Sequence, residues 1–161
     1  MSPLELCQWI QATQISTAIR ESVWVFPIIL AFHSLGLTLS VGTVLWLDMR
    51  LLGIKMREQP VSEVYRQLKP WMLSGFAIMV ISGTLLFSAQ AARCYGNVYC
   101  RTKILLLVLP AFNALIYHLV TERSIARWDS DASPPLPARM AGLISLVSWT
   151  TIIILGRQIV F

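Results

Sequence analysis

The residues whose chemistry stands out are two imidazoles. His33 and His118 are the only histidines among 161 residues, and each stands inside an apolar run: SVWVFPIILAFHSLGLTLSVGTVLWL around the first, ILLLVLPAFNALIYHLV around the second. An imidazole can ligate a metal through one ring nitrogen, or exchange a proton near neutral pH. A titratable group held in hydrocarbon is costly, and is by default a candidate for function. Two imidazoles approaching an iron from opposite faces would hold a b-type haem. His33 and His118 are therefore the candidate metal ligands, and haem b is the expected cofactor.

Residues three, four and seven apart share a helix face. Gly36, Ser40 and Thr43 fall on the His33 side, and Ala114, Ala111 and Leu107 on the His118 side. Small side chains leave room for a flat cofactor, which makes Gly36, Ser40, Ala111 and Ala114 candidate cofactor contacts. The same residue types also serve close packing of membrane helices. Around these runs, Met79 offers a thioether that could ligate but more commonly fills a core. Asn113 lies well around its helix from His118 and is expected to bond a neighbouring helix. Asp48 and Arg50 are expected to pair at an interface. Pro27 and Pro110 precede the histidines and are expected to kink their helices. No nucleophile–base pair, phosphate loop or paired carboxylate lies within the runs, so no catalytic residue is expected.

The elements that must position these groups follow from composition. The chain is 56% hydrophobic and 13% charged, with mean hydropathy +0.66. A soluble domain carries about 25% charged residues. Uncharged runs near the length of a spanning helix, roughly 20 residues, occur at about 22–47, 70–90, 104–120 and 140–156. The expected fold is all-α: one domain over 1–161, a four-helix transmembrane bundle running up-down-up-down. Pro60-Val-Ser62 with Glu63 reads as a turn and helix start, and Pro70 as the opening of the second span. Pro3 to Thr13 mixes Leu4, Cys7, Trp9 and Ile10 with Glu5, Gln8 and Gln11, the pattern of a short amphipathic helix at the interface. Residues 1–18 lack the charge and clean apolar core of a cleavable signal, so the first run is expected to act as a signal anchor.

The net charge of +5 then bears on topology rather than on nucleic acid, for which no aromatic-interleaved basic stripe exists. Arg50, Lys55, Arg57, Arg66, Lys69, Arg123, Arg127 and Arg139 fall on one side of the bundle, against Arg20, Arg93, Arg101, Lys103 and Arg157 on the other. The excess places the first and third loops in the cytoplasm and both termini outside, in the periplasm of a bacterial inner membrane. Cys94 and Cys100 flank a Gly-Asn turn in the second loop, on the oxidising side, where a disulfide would persist. Two free thiols are the alternative, and Cys7 is left over. Depth relates the histidines. Counted from the outer anchors Arg20 and Lys103 they differ by about 3 Å, at ~1.5 Å per residue; counted from Asp48 and Glu122 they differ by roughly 16 Å.

The chain also resembles a bacterial family of small integral membrane proteins of unknown function. The likeness rests on ES-x-W-x-FP (Glu21 to Pro27), H-x-x-GL (His33 to Leu37), VGT (Val41 to Thr43) and D-x-RLLG (Asp48 to Gly53). It continues through PW-x-x-x-GF (Pro70 to Phe76), Gly83, Lys103 and N-A-x-x-x-H (Asn113 to His118). The resemblance implies a four-span inner-membrane protein and assigns no chemistry. A more distant similarity to four-span b-type cytochromes and copper-resistance membrane proteins rests on the intramembrane histidines.

Together these features lead to an expected electron-transfer subunit rather than a stand-alone enzyme. It would bind haem b and work between a periplasmic redox partner and the quinone pool or respiratory chain. The expected partners are the bilayer and other membrane or periplasmic redox subunits, in a homo- or hetero-oligomer. The alternatives are a non-catalytic accessory subunit of a larger membrane complex, and a metal or small-solute transport component.

Overall fold

The computed structural model describes residues 2–117, 119, 125, 127–131 and 133–159. Helices dominate them, and no strand occurs among the described residues. The chain opens with α1 (Pro3–Gln11), the expected N-terminal helix. Its first turn is closed by a capping box in which Ser2 Oγ accepts from Glu5 N (3.2 Å) and Ser2 N donates to Glu5 Oε2 (2.8 Å). A second short helix, α2 (Gln14–Glu21), begins on the Thr13 hydroxyl and buries Ser16 and Ile19.

The long helices are α3 (Val25–Leu51), α4 (Val61–Ala89) and α8 (Leu136–Arg157). Between α4 and α8 come α5 (Ala91–Gly96), α6 (Val98–Leu106) and α7 (Val108–Ile116). Helices α6 and α7 together make one apolar segment. With α3, α4 and α8 it gives four segments long and apolar enough to cross a bilayer. The molecule is a multi-pass membrane protein built as a bundle of four spanning helices.

Boundaries differ from the expected ones for physical reasons. The helix of the second span does not open at Pro70. The helix start at Pro60 and the span after Pro70 are a single helix, with Pro70 inside it. That helix is capped from a distant loop: Asp129 O accepts from Val61 N (3.0 Å), Asp129 Oδ1 from Ser62 N (2.7 Å), and Asp129 Oδ2 from the Ser62 hydroxyl (2.5 Å). The third span starts earlier than Ile104, at Val98, because the Asn97 side chain accepts from Tyr99 N and Cys100 N. It breaks at Leu107, since Pro110 has no N–H to give the Leu106 carbonyl. Pro27, by contrast, lies in the first turn of α3, where backbone N–H groups have no intrahelical partner. It is not a kink above His33.

Helix packing is closest where side chains vanish. A Cβ on Gly75 of α4 would stand 2.5 Å from Ser40 N and 3.0 Å from Gly36 O of α3. A Cβ on Gly142 of α8 would stand 3.1 Å from Asp48 O of α3. Helix α3 thus lies between α4 and α8, while α6 and α7 pack on the other flank of α8. Val41, Met79, Trp149 and Ile152 form one buried cluster. A second, at the other end of α3, joins Leu47, Leu51, Val61, Val64, Tyr117, Trp128, Ala138 and Ala141. The outward faces remain apolar, as at Phe32, Leu35, Ile81 and Ile154. Exposed Ser and Thr hydroxyls on these faces return to the helix, as Ser34 to Leu30 O and Thr84 to Val80 O, and so stay bonded without water.

Candidate functional site

His33 stands in the N-terminal third of α3 and faces α4. Its Nδ1 lies 3.2 Å from Met79 O and 3.1 Å from Ser82 Oγ. A carbonyl can only accept, so Nδ1 carries the proton and donates. The Ser82 hydroxyl donates in turn to Ile78 O at 2.5 Å, which leaves its oxygen lone pairs for the imidazole. In the neutral ring this fixes the tautomer and leaves the unshared pair on Nε2, which no hydrogen bond engages among the described residues. A ring held by Nδ1–H on a backbone carbonyl is the arrangement that orients a metal-ligating histidine and raises its basicity.

Three further residues complete this neighbourhood, each from a different helix. Gly83 of α4 lies under the ring, where a Cβ would come 3.0 Å from His33 Cε1. Lys103 of α6 is half-buried, and its ammonium is within electrostatic reach of His33. Gly156 of α8 receives that side chain; a Cβ there would stand 3.3 Å from Lys103 Nζ. All four spanning segments therefore meet here: α3, α4 and α6 supply the polar side chains of His33, Ser82 and Lys103, and α4 and α8 supply the glycines Gly83 and Gly156. Among the described residues the carboxylate ion pairs are Arg20–Glu21 and Arg66–Glu63, and neither involves Lys103.

The other expected site residues fall elsewhere. Gly36 and Ser40 do not face an open cofactor slot. They are buried in the backbone contact with Gly75. Ala111 and Ala114 are exposed on α7 rather than turned toward His33. His118 lies outside the described residues. Tyr117, adjoining it in sequence, packs with Leu47 and Leu51 in the second cluster. Those two follow His33 by 14 and 18 residues, roughly 21 to 27 Å along α3. Met79 uses its carbonyl on His33 and buries its side chain beside Val41. Asn113 bonds across to Ala141 O at 2.9 Å, the interhelical role expected of it. Among the described residues no three His, Cys, Asp or Glu side chains gather as a metal would need.

Asp48 and Arg50 do not form the expected ion pair. Two residues apart on a helix, they point in roughly opposite directions. Asp48, 3% exposed, turns to α8 and accepts from Ser145. Arg50, fully buried, donates from Nε to Gln59 O (2.7 Å) and from one terminal nitrogen to Asp129 O (3.3 Å) and Asp131 O (3.1 Å). It clamps the first and third loops to the end of α3. At the opposite end of the molecule Cys94 and Cys100 stand at disulfide-bonding distance with Cα atoms 5.3 Å apart, and Cys7 is free.

Sequence reading assigned neither Lys103 nor Gly156 to the site. Lys103 looked like one more flanking charge. Comparison with known proteins adds no chemistry, for no curated protein and no solved structure matches the chain. A family profile does match, over residues 23–161, and it covers every residue of this neighbourhood. The chain belongs to the DUF6644 family, a family of unknown function.

Proposed function

We propose that the protein is a haem-b-binding subunit of a bacterial inner membrane, with both termini periplasmic, that carries electrons between a periplasmic redox partner and the quinone pool or respiratory chain. The observation behind this reading is the tautomer of His33. With Nδ1–H committed to Met79 O and Ser82 Oγ, Nε2 is a fixed, neutral ligand nitrogen inside a multi-pass membrane protein. A bound haem would supply a reversible one-electron step. The chain's own part is to hold the imidazole at one angle, with Nδ1–H turned to Met79 O and Ser82 Oγ. The sequence offers His118 as second ligand, and the position of Tyr117 makes it a separate question.

The absorption spectrum of purified, dithionite-reduced protein from haem-replete cells tests the reading. Sharp α and β bands that disappear in His33→Ala are expected. Loss in His118→Ala as well identifies that residue as the second ligand; bands retained there assign the position to another group. A featureless wild-type spectrum refutes haem binding. That result would favour the accessory-subunit reading, which the tight Gly36–Ser40–Gly75 contact also suits, since His33 would then be one more bond between α3 and α4.

A further inference from the structure

Lys103 presents a problem that the rest of the fold does not answer. A lysine near the end of a spanning helix normally extends its stem toward the interface and leaves its ammonium in water. Here the side chain turns inward across α8, and the missing Cβ of Gly156 makes the room: it would come 3.3 Å from Nζ and 3.8 Å from Cε. Even a half-buried cation costs free energy when it is drawn partly out of water without an anion. Among the described residues no carboxylate pairs with Lys103 and no hydrogen bond engages its Nζ. His33 cannot serve as the counter-charge, because an imidazole is either neutral or cationic.

The neighbourhood therefore pairs a fixed ligand nitrogen with an ammonium lacking an anion, at one level of the bundle. Both lie over positions held open by Gly83 and Gly156. A ligand complementary to that pair carries a metal at one point and a carboxylate at another. We infer that Lys103 is the anion-binding residue of this site and takes a propionate carboxylate of the haem seated on His33, an inference that rests on the haem reading above. Gly156 is then a positioning residue, whose role is to let the Lys103 stem cross α8.

The test compares two ligands on protein purified from haem-depleted cells, with binding read from the Soret band. The ligands are haemin and its dimethyl ester, which keeps the iron and ring but has no carboxylate. A charge-assisted hydrogen bond out of water corresponds to about tenfold or more in affinity. Wild-type protein should bind the ester about tenfold more weakly than haemin. Lys103→Met should lower haemin affinity by the same factor and leave ester affinity unchanged, whereas Lys103→Arg should recover part of the loss. Equal affinity of wild-type protein for the two ligands overturns the role of Lys103 and leaves the haem reading standing. That comparison needs no variant, so it decides the matter even if Lys103→Met does not fold. Failure of wild-type protein to bind either ligand overturns both.

Discussion

Gly75→Ala isolates the contact that holds His33 to its partners. The new methyl would stand 2.5 Å from Ser40 N and 3.0 Å from both Ser40 Cα and Gly36 O. All three are backbone atoms of the facing helix, so no side chain can swing aside. Ordinary carbon contacts lie at about 3.5 Å, so α3 and α4 must separate by roughly 1 Å. The His33 bonds to Met79 O and Ser82 Oγ, now 3.2 and 3.1 Å, would then lengthen beyond hydrogen-bonding range. Overpacking costs about 1–3 kcal/mol, and two interhelical bonds in a membrane add about 1 kcal/mol together. Alanine returns about 1 kcal/mol of helix propensity. The net expectation is a loss of about 1–3 kcal/mol, read as a lower unfolding midpoint in detergent. Gly42→Ala is the internal control, since a Cβ there meets nothing within 4 Å; it should be neutral or slightly stabilising. A Gly75→Ala protein as stable as wild type, or a Gly42→Ala protein that loses more, would refute the reasoning.

Two further outcomes follow from the ends of the bundle. Arg50→Met removes the bonds to Gln59 O, Asp129 O and Asp131 O while keeping a long apolar stem. At about 1.5–3 kcal/mol for a bond to a charged group, it should destabilise by at least that much and open the 52–60 segment to limited proteolysis; unchanged cleavage there would contradict the clamp. On the other side, a membrane-impermeant maleimide added to intact spheroplasts should label Cys7 at once, and Cys94 and Cys100 only after reduction. Opening so short a loop should lower stability by about 2 kcal/mol. Protection of Cys7 in intact spheroplasts, with labelling after lysis, would argue against periplasmic termini.

The span pattern was legible because bilayer crossing needs long uncharged runs, and the N-terminal helix because Ser2, Pro3 and Glu5 form a local cap. What stayed hidden depends on residues far apart in the chain. The start of α4 is capped by Asp129, 67 positions from Ser62, so proline punctuation alone put the second span too late. Gly36 and Ser40 suited a flat cofactor or a facing helix equally well by composition. Only the approach of Gly75 decides between these. The Asp48–Arg50 pair was expected from charge and proximity in sequence, although helix geometry turns the two apart. Lys103 could not be told from a topogenic flank until Gly156 was seen beneath it.

The Arg50 clamp also bears on the order in which the protein is made. One acceptor, Gln59 O, emerges 9 residues after the arginine, but Asp129 O and Asp131 O follow at separations of 79 and 81. By then two more spanning segments have been synthesised. A nascent chain that stops short of residue 129 carries a guanidinium with most of its acceptors missing, and an α4 start without its cap. The Arg50 end of the bundle is therefore closed late in biogenesis, in a single event that joins the first loop, the third loop and two helices. A chain stalled or cut before that event keeps a charged, unfinished surface at that end of the bundle.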